Sequence, residues 1–172
     1  MNRARVWELQ SLCKLKFISG NKKLYNKFVK AIIERLKKEN PGSIKEEMNE
    51  MRRKLSPSGT MDHMNIINLK KERGGLLDIE FIIQFLILCN PELFLKTLNY
   101  TTEKKISLLL PDEPDVLKNY IFIKDLVIRN QCIFNSSGYL YKEDERENFN
   151  YKNELRSVMR SNRNLYNKIM GK

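Results

Sequence analysis

Histidine, cysteine and alanine are scarce in this chain. There is one histidine, His63, and the three cysteines, Cys13, Cys89 and Cys132, lie far apart. No C-x-x-C and no histidine pair results, so the spacing of a zinc site is absent. The cysteines read as small buried apolar residues. Ala4 and Ala31 are the only alanines, beside abundant Lys, Asn, Ile and Tyr. That skew is the mark of an AT-rich genome, which raises lysine with no function behind it. Long apolar runs are missing too. The longest, Ile79–Leu88, is too short to span a bilayer and contains Glu80 and Gln84. "MNRARVWELQ" lacks the apolar core of a signal peptide. Neither G-x-x-x-x-G-K-[ST] nor G-x-G-x-x-G occurs. These absences fit a protein of the reducing cytoplasm with no membrane span.

Positive charge is what the chain has in excess. It carries 32 Lys and Arg against 21 Asp and Glu, a net charge of +11. Residues 1–40 hold eleven Lys/Arg against three acids, whereas residues 76–135 hold six against eight. The excess therefore sits on the first two helices. A solvated helix face explains most such runs, and a surface for acidic partners or nucleotide phosphates is the alternative. Nucleic acid is not the expected partner, because aromatic and basic residues are not interleaved as in an RNA-binding module.

The apolar periodicity is helical nearly throughout. A first helix is expected over about Asn2–Phe17 and a second from an Asn21 cap to about Lys38, with Leu24, Phe28, Ile32 and Leu36 as its stripe. Ser43 and Glu46 suggest a capping box for a third helix, whose seam is Ile44, Met48, Met51 and Leu55. "MNIINLKK" is the one stretch that reads as a short strand. A helix apolar almost all round follows over Leu76–Cys89 and should be central. Pro91 opens a short helix, another covers about Glu103–Leu110, and a longer one led by Asp112 and Asp115 reaches about Phe134. The last helix is expected over about Glu143–Met170, with Leu155, Val158, Asn162, Leu165 and Ile169 on its seam. The fold class is mostly α, a helical bundle.

The segment "NLKKERGGLLDIEFIIQFLIL" is the candidate site. Gly74 and Gly75 allow a backbone or a ligand to approach closely, and the helix that follows would offer amides to an anion. Asp78 and Glu80, however, put two carboxylates in its first turns, where they complement the helix dipole themselves. The residues thus favour a tight strand-to-helix turn over a phosphate cradle. Glu80 and Gln84 share a face. On so apolar a helix Glu80 needs a partner, with Lys70, Lys71 and Arg73 nearby in sequence. It either pins the basic strand to the helix or faces an active site.

At these residues the chain resembles the glutamine synthetase adenylyltransferase and adenylyl-removing enzyme family. That family carries N-(V/L)-K-x-G-x-G-G-(L/I)-R-D-I-E-F-x-x-Q. Asn68, Lys70, Gly74, Gly75, Asp78, Ile79, Glu80, Phe81 and Gln84 all fall in place. "VWELQSLCKLKFISGN" resembles the family's W-E-x-Q helix through Trp7, Glu8, Gln10, Leu12, Lys14 and Gly20. "NEMRRKL" resembles its M-R helix at Met51 and Arg52, and "YIFIKDLVIRNQ" a later helix at Tyr120, Phe122, Arg129 and Gln131. The related uridylyltransferases lack the I-E-F-x-x-Q and W-E-x-Q elements. Leu77 and Val127 stand where the family has Arg and Glu, and Arg73 stands where a small residue is common. The last forty residues match weakly.

The resemblance implies transfer of AMP from ATP to a tyrosine of glutamine synthetase, and its removal, with Mg²⁺ and ATP as cofactors of the intact enzyme. The family's catalytic G-S-x-S-D-x-D string does not occur in these 172 residues. Asp78 and Glu80 cannot replace it, because two positions along a helix set side chains about 200° apart, whereas metal-assisted transfer needs carboxylates clustered on one face. The expectation is therefore a truncated member, inactive alone and with no catalytic or metal residue of its own. Residues 1–62 would be the last helices of a nucleotidyltransferase domain, with at most one or two short strands left of its sheet. Residues 63–172 would form the helical bundle after it. Candidate contacts with the nucleotide-site wall are Lys70, Arg73, Gly74, Gly75, Asp78 and Glu80. Expected partners are glutamine synthetase and the PII signal protein, or a separate chain carrying the missing sheet. A non-catalytic binding module is the rival reading.

Overall fold

The helix expected at the centre is there. In the computed structural model, which describes residues 5–56, 66–134, 138–141 and 149–171, α4 (Leu76–Leu88) is the axle of a helical assembly. Ile79, Phe81, Ile82, Ile83, Ile87 and Leu88 are all buried, each stabilising the fold by roughly 2 kcal/mol before entropy is counted. No helix of amphipathic pattern could be enclosed like this. Four others surround it: α1 (Val6–Leu12), α3 (Pro41–Leu55), α6 (Thr102–Leu109) and α7 (Pro114–Phe134). The short α5 (Pro91–Thr97) folds back on it, and α8 (Phe149–Met170) closes the far side. α2 (Lys22–Leu36) packs on α5 instead. Among the described residues the buried apolar side chains, from Val6 to Met170, form one core cluster.

The described strands number two. β1 (Ile66–Asn68) lies where a strand was expected, and β2 (Tyr139–Tyr141) pairs with it antiparallel, Ile67 opposite Leu140. No periodicity in so short a segment announces β2.

Proline and asparagine set several helix starts earlier or later than the pattern suggests. α3 begins at Pro41, with the Asn40 side chain accepting from the Gly42 amide at 2.7 Å, so Ser43 and Glu46 lie inside the helix and form no capping box. α7 begins at Pro114 rather than at Asp112. α1 is much shorter than expected, ending at Leu12.

Two apolar seams are rotated from expectation. In α2, Val29, Ile32 and Leu36 are buried, while Leu24 and Phe28 are exposed. A strict four-residue spacing drifts about 40° per step around a helix, so Leu24 has swung well away from the face that Leu36 occupies. In α8 the buried line is Leu155, Met159, Asn162, Tyr166 and Met170 together with Leu165, while Val158 and Ile169 are only half-buried. Of the cysteines, Cys13 is buried, Cys89 half-buried and Cys132 exposed, which corrects the expectation that all three are core residues. His63 and the loop at 57–60 lie outside the described residues. Among the described residues no helix is long and apolar enough to cross a membrane.

Candidate functional site at the strand-to-helix turn

The turn from β1 to α4 organises itself first. The Asn68 carboxamide oxygen accepts from the amides of Lys70 and Lys71, at 3.1 and 2.9 Å, which coils the chain straight after the strand. The amides of Leu76, Leu77 and Asp78 donate to the carbonyls of Leu69, Lys70 and Gly75. Those are the donors a helix N-terminus would turn toward a phosphate, and each already has a backbone acceptor. The segment is a closed turn and not an anion cradle.

Both glycines are there for backbone, not ligand. Gly74 has φ of +88°, and a Cβ on it would fall 1.9 Å from the carbonyl oxygen of Met159 in α8. Gly75 caps α4, and a Cβ there would meet the Leu69 carbonyl oxygen at 2.5 Å. α8 therefore lies directly against the turn. The Asn162 side chain on α8 donates to the Gly74 carbonyl at 3.0 Å and accepts from Asn119 of α7 at 3.2 Å.

Beneath the turn sits a buried ion pair. Asp78 and Arg52 are both fully inaccessible, with Arg52 Nε 2.6 Å from Asp78 Oδ1. The other carboxylate oxygen accepts from the Gly74 amide at 2.6 Å. The guanidinium also donates to the carbonyls of Lys71 and Glu72 and to the Ser56 hydroxyl. One arginine from α3 thereby holds the carboxylate and the turn's carbonyls together, a geometry its planar fork allows and an ammonium would not. The pinning carboxylate is Asp78, not Glu80.

The remaining candidates fall on either side. Arg73 places its guanidinium 5.5 Å from the centre of the Tyr166 ring, and Tyr166 donates to Asn49 Oδ1 at 2.8 Å. Burial raises the Tyr166 pKa, and the nearby Asp78 charge adds to that rise. The half-buried Lys70 runs its stem under Gly138 at the start of β2, where an added Cβ would sit 3.3 Å from it. Glu80 belongs to a different cluster. Its partner is Lys14, at 2.7 Å, and not Lys70, Lys71 or Arg73 as its position in sequence suggested. Gln84, on the same face, accepts from Gln10 of α1 at 2.6 Å. A cavity of about 20 Å³, room for one water, lies between Glu80, Lys14, Gln84, Thr102 and Lys105. The buried Lys105 donates to the Cys13 carbonyl at 2.7 Å, closing the C-terminus of α1, and burial lowers its pKa. Burial pushes the Cys13 thiol up to about 12.

Five candidates, Lys70, Arg73, Gly74, Gly75 and Asp78, thus gather at one turn, and Glu80 stands apart. Arg52, matched in the M-R helix, and Asn162, expected on the seam of the last helix, complete the turn, though neither was among the candidate wall contacts. Arg52 lies four residues after Met48, on the buried side of α3, and that spacing was the available signal. A divalent ion does not fit the acids present. Asp78 is committed to Arg52 and Gly74, Glu80 to Lys14, and among the described residues no group of three His, Cys, Asp or Glu could hold a metal.

No family model matches the chain. Over 88 residues, 51% of this chain, it is 34% identical to the bifunctional glutamine synthetase adenylyltransferase/adenylyl-removing enzyme of Ralstonia nicotianae. Over 91 residues, 52% of this chain, it is 33% identical to the enzyme of the same name from Chromobacterium violaceum. The matched stretch is 9% of the first protein and 10% of the second. About half of this chain is therefore similar to about a tenth of a glutamine synthetase adenylyltransferase.

Proposed function

We propose that this chain serves as a non-catalytic helical part of a glutamine synthetase adenylyltransferase. Residues 1–62 would belong to the end of its nucleotidyltransferase domain and residues 63–172 to the following bundle. The observation that carries this is the network at the turn. Asn68, Gly74, Gly75 and Asp78, which the resemblance singles out, are joined in one hydrogen-bonded unit with Arg52. Such a unit fixes the wall behind a nucleotide, with Lys70 and Arg73 as its half-buried cations. It does not supply turnover. Magnesium, ATP and the acids that hold them belong to a catalytic sheet outside these residues, and the chain by itself is inactive. Its partners are glutamine synthetase and the PII signal protein, in the cytoplasm.

The purified chain tests this when incubated with glutamine synthetase, Mg²⁺ and ATP labelled at the α-phosphate. The expected result is retention of glutamine synthetase or PII on the immobilised chain with no label transferred. Label on the synthetase would refute the assignment of inactivity, and retention of neither protein would refute the partner assignment.

A further inference from the structure

A patch on the α1–α2 loop and α2 has the make-up of a docking surface. Phe17, Ile18, Leu24, Tyr25 and Phe28 line an open groove of about 590 Å³ between the α1–α2 loop and α2. Ile18 is 91% exposed, Leu24 66% and Phe28 47%. Three large apolar side chains left in water at one place are not explained by core packing. The same stretch, residues 14–30, holds six lysines (14, 16, 22, 23, 27 and 30) and no acid. Among the described residues no ion pair engages any of them except Lys14.

We propose that this groove binds an acidic amphipathic polypeptide helix, its apolar side chains seated over Leu24 and Phe28 and its carboxylates facing the lysines. Charge selects this occupant. A second copy of the chain would bring lysines against lysines. A membrane surface would be met by the most apolar face of a helix, but that face of α2, with Val29, Ile32 and Leu36, is turned inward. Nucleic-acid bases need open aromatic faces, and here Phe17 and Tyr25 pack on each other at 5.1 Å, leaving aliphatic Ile18 and Leu24 outermost.

Fluorescence anisotropy with the full chain tests it. The probes are a labelled helical peptide with Leu at i, i+4 and i+7 and Glu at the flanking positions, the same peptide with Lys for Glu, and phosphatidylserine vesicles. The acidic peptide is expected to bind with a micromolar Kd that weakens several-fold between about 50 and 300 mM salt. Leu24→Asp and Phe28→Asp should each weaken it by about tenfold or more with an unchanged thermal midpoint, since both side chains are exposed. Lys16→Glu with Lys27→Glu should flatten the salt dependence, whereas Lys118→Glu on α7 should leave it intact. The proposal is overturned if the acidic peptide does not bind, if the Lys peptide binds equally, or if Leu24→Asp changes nothing. Leu24-dependent capture by vesicles, or Leu24-dependent self-association, without peptide binding would also overturn it.

Discussion

Removing the charge of Asp78 should unlatch the turn. Asp78→Asn preserves the shape of the side chain but leaves the Arg52 guanidinium buried without its counter-charge. Removing one partner of a buried pair costs about 3–5 kcal/mol. Arg52 keeps three neutral acceptors, at Ser56, Lys71 and Glu72, so a loss of about 3 kcal/mol is expected. Arg52→Met retains the apolar stem but strands the carboxylate with the Gly74 amide as its remaining partner and frees two carbonyls. A loss of about 5 kcal/mol follows. The double variant leaves no unpaired charge and should lose about 5 kcal/mol, against a sum of about 8, because the two sites are coupled. Urea unfolding followed by far-ultraviolet circular dichroism measures all three. If the single variants each lose less than about 1 kcal/mol, or the losses add, then the pair is not what holds the turn.

Other expected outcomes follow from the same contacts. Gly74→Ala should lose about 3 kcal/mol in urea unfolding because it meets both a positive φ and the α8 backbone. Gly20→Ala, also positive in φ but in open space, should lose only about 1 kcal/mol; equal losses would count against the contact with α8. Asn162→Ala should lose about 2 kcal/mol by leaving the Gly74 carbonyl and Asn119 without their partner. Tyr25→Phe should gain about 1 kcal/mol, since the buried Tyr25 hydroxyl has no partner among the described residues; a loss would reveal one. For Cys13 the folded pKa, pushed by burial to about 12, lies above the ordinary thiol value of 9.0. The unfolded chain therefore releases the thiol proton first, and stability falls as pH rises from 9 toward 12. Between about pH 8.5 and 10.5 the wild type should lose about 2 kcal/mol more than Cys13→Ala. Lys105, with its lowered pKa, acts in the opposite sense in both proteins. Parallel pH profiles would contradict the burial of the thiol.

The fold class and the central helix were legible because ten successive residues, Ile79–Leu88, are almost wholly apolar, and only full enclosure suits such a run. Pro91 with Asn90 was legible for a similar reason, since local chemistry alone sets that helix start. The orientation of α2 and α8 was not, because the choice between adjacent seams depends on the neighbour each helix meets. The candidate turn was legible as a turn from its glycines and acids. What closes it was not: the M-R resemblance marked Arg52 without saying what it holds, and Asn162, expected on the seam of α8, lies 88 residues from the Gly74 carbonyl it bonds. Glu80 misled because nearness in sequence placed its cation on the basic segment before the glycines, whereas helix geometry turned it toward α1.

The contact between Gly74 and the Met159 backbone also orders events in time. During synthesis α4 leaves the ribosome long before α8 exists. Until α8 arrives, the face of the turn that it covers stays open and the Gly74 carbonyl lacks its side-chain donor. Docking of the C-terminal helix is then the event that sets the motif, and a nascent chain halted before Met159 should show the segment around Gly74 cleaved readily by protease, while the finished chain resists.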